Sequence, residues 1–179
     1  IIETSDYPVI LATPAGFEHV PWSPQKDGSN GASSTTNLYV FWKRATSAAE
    51  ASPVVPVPAG TSQHARAVIV TVRGCSAQGV PWDVGDGDIA GAAATAVTFR
   101  SLTTQYDDAL IMHIVSNSIS NLASQGGSWA NANLASLSEW VDSNSNIGGG
   151  SGVTIITGTK ATSGNIGSTT GLLGVSSRQ

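Results

Sequence analysis

Hydrophobic residues in this chain alternate with polar ones in short runs, each ended by Gly, Pro, Asn or Ser. In the clearest run, 65–73, the valines at even positions point to one side, and Ile69, Thr71 and Arg73 point to the other. Alternation with a period of two in β-branched residues predicts a β-strand with two different faces. The run ends at Gly74, a residue that commonly ends strands.

The same pattern recurs along the chain and predicts a set of short strands. They cover residues 9–12, 17–20, 38–45, 65–73, 95–102, 109–116, 134–141, 153–159 and 171–175. The segments predicted as loops are 23–36, the proline-rich 52–60, 79–91 and the polar 117–133. A parallel sheet would need helical crossovers of about a dozen residues, and the pattern shows none. The fold class predicted is all-β, an antiparallel β-sandwich of jelly-roll type.

A repeated sequence motif predicts that this sandwich has two similar halves. Leu38-Tyr-Val-Phe-Trp-Lys-Arg-Ala-Thr-Ser-Ala48 corresponds to Thr154-Ile-Ile-Thr-Gly-Thr-Lys-Ala-Thr-Ser-Gly164. The segment 134–141 also fits helical spacing, but its position before the second copy of the repeated motif favours a strand. The second half has no counterpart of strand 65–73. We therefore expect either a truncated chain or a strand supplied by a neighbour through β-augmentation.

Composition limits the classes of function. The chain has 179 residues, which predicts one β-sandwich domain over 1–179, either as a partial chain or as part of a longer protein. Charged residues make up 11%, against roughly 25% in ordinary soluble domains. The net charge of −4 and the lack of a basic cluster argue against nucleic-acid binding. No apolar run approaches the roughly 20 residues of a membrane helix, so no membrane insertion is expected.

Catalytic motifs are absent from the sequence. His19, His64 and His113 lie on separate elements without metal-ligand spacing, and the single Cys75 forms neither an intrachain disulfide nor a metal site. We therefore predict no catalytic residue, no cofactor and no metal site.

One acidic loop leaves alternatives open. Asp83, Asp86 and Asp88 alternate with glycines, as in part of a calcium loop. A solvated acidic turn is the simpler interpretation. A third interpretation is the acid and base pair of a glycan hydrolase.

Tryptophan is unusually frequent, with five residues against three phenylalanines. Trp42 falls on a predicted strand and is expected in the core. Trp22, Trp82 and Trp129 fall in loops, and Trp140 falls on strand 134–141. These four are the candidate binding residues, for a glycan or for a protein interface. The alternative is that they anchor loops over the ends of the sandwich.

The order of the motifs resembles a family of phage and prophage virion proteins. The motifs are Pro14-Ala-Gly-Phe17, Leu38-Tyr-Val-Phe-Trp-Lys-Arg-Ala45, Ala67-Val-Ile-Val-Thr-Val-Arg-Gly74, Asp108-Ala-Leu-Ile-Met112 and Gly152-Val-Thr-Ile-Ile-Thr-Gly-Thr-Lys-Ala161. The resemblance implies a β-sandwich module on the particle exterior, in a tail fibre, a tail tip or a capsid decoration. The usual strands before Pro14 are mostly missing here.

The function expected from these observations is that of a non-enzymatic structural protein of a bacteriophage particle. It would contact copies of itself and other virion proteins. The alternative is a carbohydrate-binding module for host attachment that contacts surface glycans through the four tryptophans. The third possibility is a tail-associated glycan hydrolase.

Overall fold

The computed structural model describes residues 1–5, 11–28, 35–57, 64–147 and 150–179. These residues form fourteen β-strands and no helix, which confirms the all-β prediction. The strands are β1 (Ile2–Ser5), β2 (Glu18–His19), β3 (Gln25–Asp27), β4 (Thr36–Tyr39), β5 (Phe41–Trp42), β6 (His64–Ala67), β7 (Ala94–Phe99), β8 (Thr103–Thr104), β9 (Ala109–Asn117), β10 (Gly126–Ala130), β11 (Ala135–Ser145), β12 (Ser151–Lys160), β13 (Gly164–Asn165) and β14 (Thr169–Ser177).

Three sheets carry the architecture, and all their strands pair antiparallel. The first sheet has the order β3-β4-β1-β6, the central sheet β11-β12-β9, and the third sheet β10-β14-β7. Two further pairs, β13-β8 and β2-β5, are short. The result is a sandwich-like stack of open sheets.

The middle strand of the central sheet is covered on both faces, because 151–158 of β12 are all buried although successive side chains point to opposite sides. On one face, Ser151 lies beside Glu3 of the first sheet. On the other face, the hydrophobic cluster of Val97, Val115, Ile119 and Leu173 joins the central and third sheets.

A second hydrophobic cluster lies on the outer face of the first sheet. It contains Ile2, Leu11, Tyr39 and Phe41. The rings of Tyr39 and Phe41 stack with centroids 6.1 Å apart. The inner face of the same sheet is polar, so the apolar core is divided into two parts.

The strand predicted over 65–73 is much shorter than its pattern indicates. β6 ends at Ala67, and the last backbone contact is the reciprocal pair between Ile1 and Val68, with N···O distances of 3.0 and 2.9 Å. Ile69–Arg73 continues without regular structure. The segment alternates as a strand does, but the pairing of β6 with β1 joins only His64–Ala67 to Ile2–Ser5.

Two segments predicted as loops contain strands. β3 forms inside 23–36, and β10 forms inside 117–133. β3 consists of polar residues, and Trp129 is the one large apolar residue of β10. Backbone pairing with β4 and β14 places these two strands. The predicted strand 38–45 is divided at Val40 into β4 and β5, which belong to different sheets.

The other strands lie close to their predicted positions, and β11 and β12 are longer than predicted. In each predicted half, the segment before the repeated motif pairs antiparallel with the motif: β2 pairs with β5, and β11 pairs with β12. The first of these pairs spans two residues and the second spans nearly the whole strand. The two similar halves and the jelly-roll connectivity therefore stay predictions.

Some predicted features lie outside the described residues. These are Val9 and Ile10 of strand 9–12, residues 29–34 of the first loop, and residues 58–60 of the proline-rich segment. Leu11 and Ala12 are described and are not part of a strand. No helix in the described part of the chain is long and apolar enough to cross a membrane.

Candidate functional site

A groove of about 550 Å³ lies where all three sheets meet. Its apolar lining comes from Leu38 of β4, Phe99 of β7, and Met112 and Ile114 of β9. Segment 84–90 closes one side, and the polar residues of β3 close another. The volume falls within the roughly 300–1,000 Å³ usual for ligand pockets.

Two strand edges border this groove. β7 ends the third sheet and β9 ends the central sheet, so each pairs with one described strand and leaves its second edge without a described partner strand. Consecutive residues of both strands line the groove, 96–100 and 110–116. Gln179, which also lines the groove, donates from Nε2 to the carbonyl oxygens of Ala94 and Ala96 of β7, at 2.9 and 3.3 Å, so these two acceptors are already occupied.

Three tryptophans form a cluster beside the groove. Trp82 packs edge-to-face against Trp22 and Trp42, with centroid distances of 5.9 and 5.1 Å. Trp22 lies so close to Gly85 that a Cβ there would come within 2.1 Å of the indole. Trp22 and Trp82 therefore hold segment 84–90 against the protein.

The three aspartates of this loop do not converge. Asp86 and Asp88 contact the same guanidinium, that of Arg100, at 3.7 and 2.8 Å. Asp83 instead accepts a hydrogen bond from the backbone N–H of Gln105, at 2.6 Å. No group of three metal-ligating side chains is found among the described residues.

Trp129 lies on β10 rather than in a loop. A bulge between Gly127 and Ala130, with Ser128 at a φ of 56°, sets its direction. The indole lies flat on Gly171, and its Nε1 donates to Glu139 Oε2 at 2.6 Å. Trp129 is thus a structural contact between β10, β11 and β14.

His113 of β9 lies between the central and third sheets. Its ring stacks on Phe99 with centroids 4.5 Å apart, and its Nε2 lies 2.8 Å from Thr169 Oγ1. Burial lowers the pKa of His113 to about 4. The ring is therefore neutral at pH 7 and acts as part of the core.

Trp140 differs from the other three candidates. It is the additional residue of the bulge between Glu139 and Val141 on β11, at the edge of the central sheet. Its side chain is 57% exposed. A bulge on an edge strand often redirects a side chain toward a binding partner.

A polar layer separates the first and central sheets. Glu3 is fully buried there, and Thr36 Oγ1 donates to its Oε1 at 3.2 Å. Burial raises the pKa of Glu3 well above its ordinary value, against the opposing effects of Thr36, Ser5, Ser151 and the charge of Arg66. Arg66 crosses the layer and donates to Ser143 Oγ at 3.1 Å and to the carbonyl oxygen of Asn144.

The sequence alone identifies neither Glu3 nor the groove. Glu3 stands in a segment without an alternating apolar pattern, so no strand is predicted where β1 forms. The groove combines residues of β3, β4, β7, β9 and segment 84–90, and only the sheet order brings them together. The alternation of 109–116 carries one usable signal, because it places Met112 and Ile114 on a common face.

Comparison with protein-family models, curated proteins and solved structures finds no match.

Proposed function

We propose that the chain is a non-enzymatic structural subunit on the exterior of a bacteriophage particle, in a tail fibre, a tail tip or a capsid-associated position. It contacts copies of itself and other virion proteins. The motif order supports the virion assignment, and the low charged fraction suits a subunit with many protein contacts.

The observation that carries the proposal is the strand-like segment Ile69–Arg73. It has the strongest β-type alternation in the chain, yet no backbone hydrogen bond joins it to another described residue. Ile69 is 72% and Val72 41% exposed. An exposed apolar strand with open backbone groups pairs readily with another chain, so this segment suits an assembly contact.

Sedimentation velocity over a concentration series tests the assembly part of the proposal. The wild-type chain is expected to associate, and Val70→Asp is expected to weaken association at least tenfold, because a carboxylate then enters the added-strand contact. Val54→Asp is the matched control, since Val54 is exposed but lies outside the segment. A wild-type chain that stays monomeric throughout the series contradicts the proposal.

Labelling of particles tests the virion assignment. Antibodies against the chain are expected to decorate the outside of phage particles from cultures that produce it, as seen by electron microscopy. Particles that carry no label, from cultures in which the chain is abundant, contradict the assignment.

One observation favours the second candidate, a host-attachment module that binds glycans. Trp140 projects from the edge of the central sheet, where an indole face could stack on a sugar ring. Trp140→Ala is expected to abolish retention on host cell-wall glycans if this function holds. Trp129→Phe is the control, because that half-buried indole packs against Gly171 and donates to Glu139.

A further inference from the structure

We propose that the dipeptide Asp86-Gly87 is a site of spontaneous isoaspartate formation, and that this modification alters one wall of the groove. Both residues lie in segment 84–90, which lines the groove and has no regular secondary structure. The modification goes beyond the proposed function and does not depend on it. Three features support it: the exposure of Asp86, its contact with the next backbone nitrogen, and the tight packing of the residues on either side.

Isoaspartate forms where an aspartate precedes a residue that does not shield its own backbone nitrogen, and glycine has no side chain to do so. That nitrogen attacks Cγ of the aspartate and a C–N bond forms. One carboxyl oxygen leaves as water, which carries away the amide proton. The succinimide ring then takes up one water. Where the ring opens at the former backbone carbonyl, the main chain runs through Cγ and the carbonyl becomes a free carboxylate.

Asp86 has the geometry that this reaction needs. The backbone N–H of Gly87 donates to Asp86 Oδ1 at 2.8 Å, so the attacking nitrogen already contacts the carboxyl group. The side chain of Asp86 is 46% exposed, and its closest approach to Arg100 is 3.7 Å. A long ion pair in solvent contributes little, so the fold does little to oppose the attack.

The chain contains one other Asp-Gly dipeptide, Asp27-Gly28, in a contrasting environment. Asp27 is buried, and its Oδ1 accepts a hydrogen bond from Arg178 at 2.8 Å. A Cβ at Gly28 would lie 2.1 Å from Thr35, so the backbone there is closely packed. Attack at Asp27 would break a buried ion pair, which is costly. The fold therefore protects Asp27 and leaves Asp86 reactive.

Asp88 provides a second comparison, within the same segment. Its side chain is also 46% exposed and contacts the same guanidinium, that of Arg100. It precedes Ile89, however, and a β-branched side chain crowds the nitrogen that would attack. Isoaspartate is therefore expected at residue 86 and not at residue 88.

The modification would change the groove because the residues on either side of Asp86 have no spare space. A Cβ at Gly85 would lie 2.1 Å from the indole of Trp22, and one at Gly87 would lie 2.2 Å from the side chain of Gln25. Isoaspartate adds one carbon atom to the main chain between these two glycines. We expect the segment to move away from Trp22 and Gln25, which line the same groove.

Peptide mapping of the folded chain after prolonged incubation at physiological pH and temperature tests the site. Electron-transfer fragmentation assigns isoaspartate to single residues. We expect at least tenfold more isoaspartate at residue 86 than at residue 27 or 88, a ratio that corresponds to a barrier difference of about 1.4 kcal/mol. In the chain unfolded in guanidinium chloride, residues 86 and 27 are expected to react at similar rates, because both then precede an unshielded nitrogen.

Amide hydrogen exchange tests the effect on the groove. After the same incubation, the wild type is expected to exchange faster in segment 84–90 than fresh protein does. Asp86→Glu is the matched control, since it keeps the charge, and its longer side chain would have to close a larger ring. Exchange in segment 84–90 of this variant is expected to stay unchanged by incubation.

Three results would contradict the inference. Equal amounts of isoaspartate at residues 86 and 27 of the folded chain would show that the fold does not select the site. No isoaspartate at residue 86 would show that the observed geometry does not permit the reaction. Isoaspartate at residue 86 without faster exchange in segment 84–90 would show that the groove wall is unaffected.

Discussion

At the scale of single residues, the close approach of Trp129 to Gly171 makes a sharp test of packing. A Cβ at Gly171 would lie 2.0 Å from the indole, so Gly171→Ala forces the ring away from β14. Overpacking of this kind costs about 1–3 kcal/mol, and urea unfolding should show a loss in that range. Gly127→Ala, on the neighbouring β10, meets no atom within 4 Å and is expected to change stability little. Equal losses for the two variants would contradict this account.

His113 gives a prediction at low pH. Its pKa is lowered to about 4 by burial, against about 6.5 in the unfolded chain. A group with a depressed folded pKa contributes stability above its unfolded pKa and loses it as the pH falls through the folded one. Between pH 7 and pH 4 we expect a loss of roughly 3 kcal/mol from this residue.

His113→Gln removes this titration and should flatten the acid side of the stability curve, as measured by urea unfolding at each pH. His19→Gln serves as the control, because His19 belongs to the separate β2-β5 pair. A His113→Gln curve that is as steep as the wild type between pH 6.5 and pH 4 would refute the assignment.

At the scale of elements, alternation locates strands well where at least one face is buried. β9, β12 and β14 all lie within a few residues of their predicted positions. Alternation fails for β1, β3 and β10, which have no alternating apolar pattern and whose place is set by backbone pairing with other strands. It overestimates the run 65–73 for the converse reason, because strong propensity does not provide a partner. The groove depends on sheet order, which no local pattern contains.

The polar layer between the first and central sheets gives a prediction for this pair of elements. The pKa of Glu3 is raised by burial, so the protonated form is favoured in the folded state. The stability it contributes is fully present below its ordinary pKa of about 4.5 and is lost as the pH rises through the folded value. The folded chain should therefore lose stability as the pH rises above about 4.5.

Glu3→Gln keeps a neutral side chain of similar shape and should remove this loss of stability with rising pH, as measured by thermal unfolding from pH 5 to pH 8. Glu18→Gln, on the exposed part of β2, should leave the loss unchanged. A Glu3→Gln variant that loses stability as steeply as the wild type would show that the layer accepts an ionised carboxylate.

At the scale of the whole molecule, the stacked sheets do not form one continuous hydrophobic core, and some strand edges have no described partner strand. The hydrophobic core is divided into two clusters, and a polar layer lies between two sheets. β7 and β9 also keep edges without a described partner strand. The proposed association would add stability, since an added strand satisfies open backbone groups and covers exposed apolar side chains.

The two buried titratable groups, Glu3 and His113, both change the free energy of the same unfolding transition, because the three stacked sheets unfold together if the transition is two-state. Glu3 removes stability as the pH rises above about 4.5, and His113 removes it as the pH falls below about 6.5. The two effects oppose each other between these values, so stability should be highest in this weakly acidic range. Glu3→Gln should move this maximum to higher pH and His113→Gln should move it to lower pH, because each leaves the other group acting alone. The double variant should show a broad plateau. Urea unfolding of all four proteins from pH 4 to pH 8 measures the shifts, and a maximum that stays at the same pH in both single variants would show that other groups set the pH dependence.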